Sequence, residues 1–151
     1  MKWITRERAK VDRVACPWLI SRFIDPSPEF YFVPADRVLA AAAEQRATPY
    51  DVVGVELGHQ GPYFRIDALL HKYCVAGKNP ALDRVALIVR GADTAAKDLT
   101  PESPGLDAIA GGFQIMEISD HEKLEWEFPL YDALYVYCGG RWPIPRPITG
   151  V

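Results

Sequence analysis

The stretch SDHEKLEWEFPLYDALYVYCGG, residues 119–140, decides the fold class. Ser119 followed three residues later by Glu122 is a capping box, in which each side chain satisfies a backbone N–H that a helix start leaves without a partner. The helix that follows carries Tyr131, Leu134, Tyr135 and Cys138 at helical spacing and stops at Gly139-Gly140. Pro129 inside it predicts a kink or a split. Working outward, Leu106, Ile109, Ala110 and Phe113 predict another helix, loosened by Gly111-Gly112. Leu82, Val85, Ala86 and Val89 predict one that stops at Gly91. Residues 61–73 turn helical after Gly61-Pro62, with Phe64, Ala68, Leu69 and Tyr73 in the stripe, and residues 34–46 are alanine-rich and helical.

Proline suits the first helical position, because the N–H it lacks would have had no partner there. Asn79-Pro80, Ser103-Pro104 and Val33-Pro34 fit that rule. Applied to Cys16-Pro17, it starts a helix near Pro17 and ends it before Pro26. Cys16 is then the N-cap and residues 11–15 an extended lead-in.

Glu29-Phe30-Tyr31-Phe32-Val33 is short, aromatic and bounded by prolines, which predicts a strand. Residues 52–57 predict a second, weakened by Gly54, and residues 2–5 offer a third. The expected fold is therefore α+β, a predominantly helical single domain with a small two- or three-stranded sheet. The 151 residues leave no room for two domains. An apolar fraction of 49% against 25% charged residues excludes a disordered chain and a collagen. Residues 141–151 form a proline-rich extended tail.

The net charge of −3 gives no footing for a dedicated nucleic-acid binder. Arg6, Arg8, Lys10 and Arg13 are interrupted by Glu7 and Asp12, as on a solvated face. No apolar run approaches the ~20 residues that cross a bilayer. The first residues show neither a signal core nor a cleavage site, which predicts a cytoplasmic protein. Cys16, Cys74 and Cys138 are odd in number and far apart, as expected of reduced thiols. Cys74 and Cys138 fall on apolar helix faces and are expected in the core.

Three histidines allow each to be weighed. Glu56 and His59 are three residues apart just past a predicted strand, between Gly54, Gly58 and Gly61. The spacing suits a metal, and it equally suits a surface loop. His121 lies in the first turn of the last helix, where the helix N-terminus disfavours a proton on the ring and the flanking carboxylates favour it. With Glu56 and His59 it would complete a two-histidine, one-carboxylate set for zinc or non-haem iron. His71 follows Asp67 by four residues on one helix face, as a surface pair or a further ligand. Cys16 at an N-cap beside Arg13 would be an activated thiol, or else a small core residue. Asp12-Arg13 and Arg90-Gly91-Ala92-Asp93 are candidate ion pairs that could also line an anion pocket or support a metal.

Several blocks in one order resemble the ChrB C-terminal domain, a chromate-resistance family. They are KVDRVACPWLI at 10–20, RFID at 22–25, FVPA at 32–35, GVELGH at 54–59, IVRGADT at 88–94, DHE at 120–122 and YDALY at 131–135. The resemblance spans roughly residues 3–140 and leaves 141–151 as the tail. It implies a link with chromate resistance. Longer members are described as chromate-responsive regulators, with DNA binding assigned to an N-terminal region outside the matched blocks.

Two readings of function stand at this point. In the first, the domain is a metal-binding module of chromate or oxidant stress. One divalent metal is held by Glu56, His59 and His121, with Asp12 or Asp93 as a further ligand. Arg13 and Arg90 attract a small oxyanion. In the second, it is a non-catalytic chromate-responsive sensor or interaction module that uses Arg13, Arg90 and a redox-sensitive Cys16. Either leaves a homo-oligomer open.

Overall fold

The computed structural model describes residues 1–52 and 65–147. The elements are β1 (Lys2–Arg6), α1 (Asp12–Leu19) with a π-helical turn at Ile20–Ile24, β2 (Glu29–Val33), α2 (Val38–Gln45), β3 (Thr48–Pro49), α3 (Arg65–Lys72), α4 (Pro80–Asp93), α5 (Ser103–Ile115) and α6 (Asp120–Tyr137). The chain is a helix-rich α+β domain with one small sheet. No helix among the described residues is long and apolar enough to cross a membrane.

The sheet has three parallel strands in the order β2-β1-β3. β1 is central, pairing Trp3 with Phe30 on one side and with Thr48 on the other. A parallel sheet needs cover on both faces, and alternation along β1 supplies it. Trp3 enters the large core with Trp18, Leu69, Leu82 and Tyr131, whereas Ile4 packs under α2 with Val38, Ala41 and Ala42.

Two local rules lose to packing. α1 begins at Asp12 and runs through Pro17, so residues 12–15 are helical and Cys16 is inside the helix. The proline forfeits one turn hydrogen bond, but Val14, Trp18 and Leu19 on that helix are fully buried. Similarly, α4 runs past Gly91 to Asp93. Glycine is required there because a Cβ would lie 2.2 Å from Ser103 Oγ, where α5 crosses. Ser103 is itself buried and donates to the Ile88 carbonyl at 2.9 Å.

The capping box is present, with Glu122 N–H donating to Ser119 Oγ at 3.2 Å and Ser119 N–H to Glu122 Oε2 at 2.8 Å. α6 continues through Pro129 as one element rather than splitting. Gly139 ends the turn beyond it at φ 100°. β3 was not expected, and the strand predicted at 52–57 falls almost wholly outside the described residues. Cys74 lies past the end of α3 at φ 55° and is exposed rather than in the core. Cys138 is half-buried against the core. Residues 141–147 carry no regular element, and Ile144 packs against the core.

Candidate functional site

The strand order defines where a ligand would sit. The chain goes from β1 to a neighbour on one side, then returns to the other side of β1 as β3. In open parallel sheets, ligands bind outside the carboxyl ends of the strands at such a reversal. Here the place for such a crevice, beyond Arg6 of β1 and Pro49 of β3, is bordered by the 7–11 loop, the first turn of α1, and Tyr50-Asp51.

The 7–11 loop is pinned from the far end of the chain. Asp120 accepts from Arg8 N–H at 2.9 Å and Ala9 N–H at 2.6 Å. Gln114 Nε2 donates to the carbonyls of Arg8 and Ala9 at 3.0 and 2.9 Å, and Lys123 Nζ donates to Ala9 at 3.3 Å. Val11 has φ 34°, ψ −88°, costly for a β-branched residue. Its carbonyl accepts from Val14 N–H, Ala15 N–H and the Tyr131 hydroxyl at 3.1, 2.8 and 3.1 Å.

Beside that loop, on α1, stand three of the residues singled out from the sequence. Asp12 is buried, and Cys16 Sγ donates to its Oδ1 at 3.5 Å. The thiol therefore faces a carboxylate from within α1, not the open N–H groups of a helix start. This corrects the N-cap placement on which an activated Cys16 rested. Arg13 reaches Asp51 Oδ2 at 3.6 Å and donates to the Arg8 carbonyl at 3.0 Å. Asp93 comes from α4, and its charge is felt at the Tyr131 phenol. Burial first, then negative charge on Glu127, Asp12, Cys16 and Asp93, pushes that phenol well above its ordinary range. Burial first, then Cys16 and Asp51, does the same to Tyr50, against the opposing charge of Arg13. Both phenols are held neutral; Tyr131 donates to the Val11 carbonyl, whereas the buried Tyr50 hydroxyl has no hydrogen-bond partner among the described residues. Tyr50, Asp51 and Tyr131 were missed from sequence. The only local signal was an aspartate just after a two-residue strand, and that strand is itself invisible without its partner.

The remaining candidates lie elsewhere. Arg90 clamps Asp67 across α3 and α4, its Nε and Nη2 donating to Oδ2 at 3.2 and 2.6 Å. Asp67 is thus held from α4, and His71 and Asp83 line an open cavity of about 470 Å³ beside this pair. His121 is exposed on the outer side of β2, with Nε2 2.9 Å from the Phe30 carbonyl and its ring edge-on to Phe32 at 5.3 Å. It caps a carbonyl of an edge strand, two strand spacings, about 10 Å, from the β3 side. Glu56 and His59 lie outside the described residues. Among the described residues, no group of three or more His, Cys, Asp or Glu side chains is placed to hold a metal ion.

A small parallel sheet wound in this order, with a buried acid, thiol and phenol cluster at its reversal and helices on both faces, defines a helix-rich α+β domain. The chain belongs to the ChrB C-terminal domain family, whose family model matches residues 3–138. It is similar to Protein ChrB of Cupriavidus metallidurans, with 28% identity over 136 residues, covering 90% of this chain and 40% of that protein. The chain thus spans about two-fifths of the length of this curated relative. No solved structure matches it.

Proposed function

We propose that this domain acts in the response to chromate as a metal-dependent module centred on the β1/β3 crevice. Glu56 and His59, with Asp12 or Asp93 as the third ligand, would hold one divalent cation, zinc or iron. Neutral imidazole and carboxylate suit both metals, and the cation would supply Lewis acidity or an activated water. Kinship with ChrB supports the link to chromate. What supports the metal reading is that buried Asp12, at the start of α1, and buried Asp51, just past β3, lie on either side of the Arg13–Asp51 ion pair. Residues 53–64, with Glu56 and His59 among them, follow directly in sequence. The proposal takes its third ligand from this cluster because Nε2 of His121 faces Phe30 at the opposite edge of the sheet.

Direct capture of an oxyanion is less well supported. The two guanidinium groups expected to attract it lie against carboxylates, Arg13 on Asp51 and Arg90 on Asp67, and a dianion would have to displace them. Elemental analysis of protein purified without added metal tests the reading. His59→Ala is expected to lose the metal, Asp12→Asn to lower it and His121→Ala to retain it. Equal metal content in wild type and His59→Ala removes the idea. Calorimetric titration with chromate, and with sulfate as a similar dianion, tests the sensor alternative. Chromate binding that survives His59→Ala and fails in Arg90→Ala would decide for a non-catalytic sensor.

A further inference from the structure

Lys123, in the first turn of α6, is a buried cation with loose partners. It is 3% exposed. Its Nζ meets the Ala9 carbonyl at 3.3 Å, Gln114 Oε1 at 3.4 Å and Asp120 Oδ1 at 3.7 Å. A charge-assisted N–H···O bond closes to about 2.7–2.9 Å, and a buried charge needs close pairing. Two of these oxygen-bearing groups are also engaged elsewhere. Asp120 accepts from Arg8 N–H and Ala9 N–H, and the Ala9 carbonyl accepts from Gln114 Nε2. The ammonium therefore has room for a closer acceptor.

That acceptor can come from a cavity of about 320 Å³ lined by Arg8, Gln114, Glu117, Ile118 and Lys123. It lies among the 7–11 loop, the end of α5 and the start of α6. We propose that it binds a small zwitterion of the α-amino-acid type. The carboxylate is held by Lys123 and Arg8, and the ammonium group by Glu117. This site is separate from the metal reading and does not rest on it.

Three observations set the ligand class. The first is the pair of cations. Among the described residues, Arg8 makes its hydrogen bonds through its backbone, the N–H to Asp120 and the carbonyl from Arg13 and Gln114. Its exposed guanidinium is left to the cavity. A guanidinium fork beside an ammonium matches the two oxygens of a carboxylate.

The second is the opposing charge. Glu117 lines the same cavity and is exposed, and it forms no ion pair with Arg8, Lys123 or any other described residue. Charges of opposite sign thus share one cavity without closing on each other. A simple dianion would be repelled by Glu117, and a simple amine by the two cations. A molecule carrying both charges satisfies both ends.

The third is size. Ligand pockets run from about 300 to 1,000 Å³, so this one takes a small molecule. Ile118 is the one apolar residue of its lining and gives a short aliphatic side chain a surface to rest on.

Isothermal titration calorimetry on the full chain at neutral pH tests this, with L-alanine and L-leucine as probes. Isocaproate keeps the leucine side chain and carboxylate without the ammonium group, isoamylamine keeps the ammonium group without the carboxylate, and sulfate stands for a simple dianion. At least one amino acid is expected to bind at one site per chain, and isocaproate, isoamylamine and sulfate are each expected to bind roughly tenfold more weakly or worse. Arg8→Ala and Glu117→Gln alter exposed side chains. Each should weaken the amino acid roughly tenfold or more, with an unchanged far-ultraviolet circular dichroism spectrum. Lys123→Met should abolish binding; should it fail to fold, the two exposed variants decide. A dissociation constant above about 1 mM for both amino acids, isocaproate or sulfate binding as well as the better amino acid, or an affinity unchanged in both exposed variants overturns the proposal.

Discussion

Glu127 lies on α6 between Lys123, one turn before, and Tyr131, one turn after, and is 2% exposed. Burial pushes its carboxyl from 4.5 up to about 7, against the partly compensating charge of Lys123. Lys123 is shared with the Ala9 carbonyl, Gln114 and Asp120. The raised value means that the folded chain holds this proton more tightly than the unfolded chain does. Folded and unfolded states then differ in bound protons between about pH 4.5 and pH 7, and stability falls as pH rises through that window. Above it, the ionised carboxyl costs about 3 kcal/mol. Glu127→Gln removes the titration while keeping the shape. The variant should exceed wild type by roughly 1 kcal/mol near pH 5, 2 kcal/mol near pH 6 and 3 kcal/mol near pH 8, then level off. Urea unfolding followed by tryptophan fluorescence at these three pH values reads the difference directly, and other titrating groups cancel between the two proteins. A stability difference that does not change with pH would refute the reasoning, since it would mean that Glu127 ionises alike in both states.

Asp132 accepts from Trp18 Nε1 at 2.8 Å and from Arg22 Nε and Nη2 at 2.9 Å each. Asp132→Ala strands a buried indole N–H and a partly buried guanidinium, and should lower unfolding stability by roughly 2–4 kcal/mol; a loss below about 1 kcal/mol would mean that water replaces the carboxylate. Iodoacetamide on the native protein, read by peptide mass spectrometry, should alkylate exposed Cys74 well before Cys16, which is 1% exposed and faces Asp12. Equal rates would show that α1 opens on the timescale of labelling.

What could be read from sequence is what depends on neighbours a few residues away. The capping box at Ser119, the aromatic run of β2 and the alanine-rich α2 are each complete signals within one short window, and each is present. Pro17 and Gly91 were misread for one reason: both were taken as local punctuation, and both answer to distant partners. Pro17 stays helical because Val14, Trp18 and Leu19 bury on that turn. Gly91 is demanded by Ser103 across the α4/α5 crossing. β3, two residues long with a proline, exists only because β1 offers an open edge to Thr48 and Pro49.

The site shows the same dependence more sharply. Asp12, Arg13 and Cys16 could be named from their chemistry, and once α1 starts at Asp12 their i, i+4 spacing sets Cys16 against Asp12, but nothing in the sequence said that Arg13 and Asp51 meet. The order β2-β1-β3 brings them together, by setting the carboxyl ends of β1 and β3 side by side under a loop that Asp120, Gln114 and Lys123 hold from the opposite end of the chain. His121 adjoins Asp120 in sequence, yet it turns to the far edge of the sheet and meets Phe30. Successive residues at a helix start point in different directions, so one acts on the crevice loop and the next on an edge strand. A substitution at Asp120 should therefore disturb the crevice more than one at His121, although the histidine carries the more versatile chemistry. Chemical type nominates a residue, and the strand order decides whether it can take part.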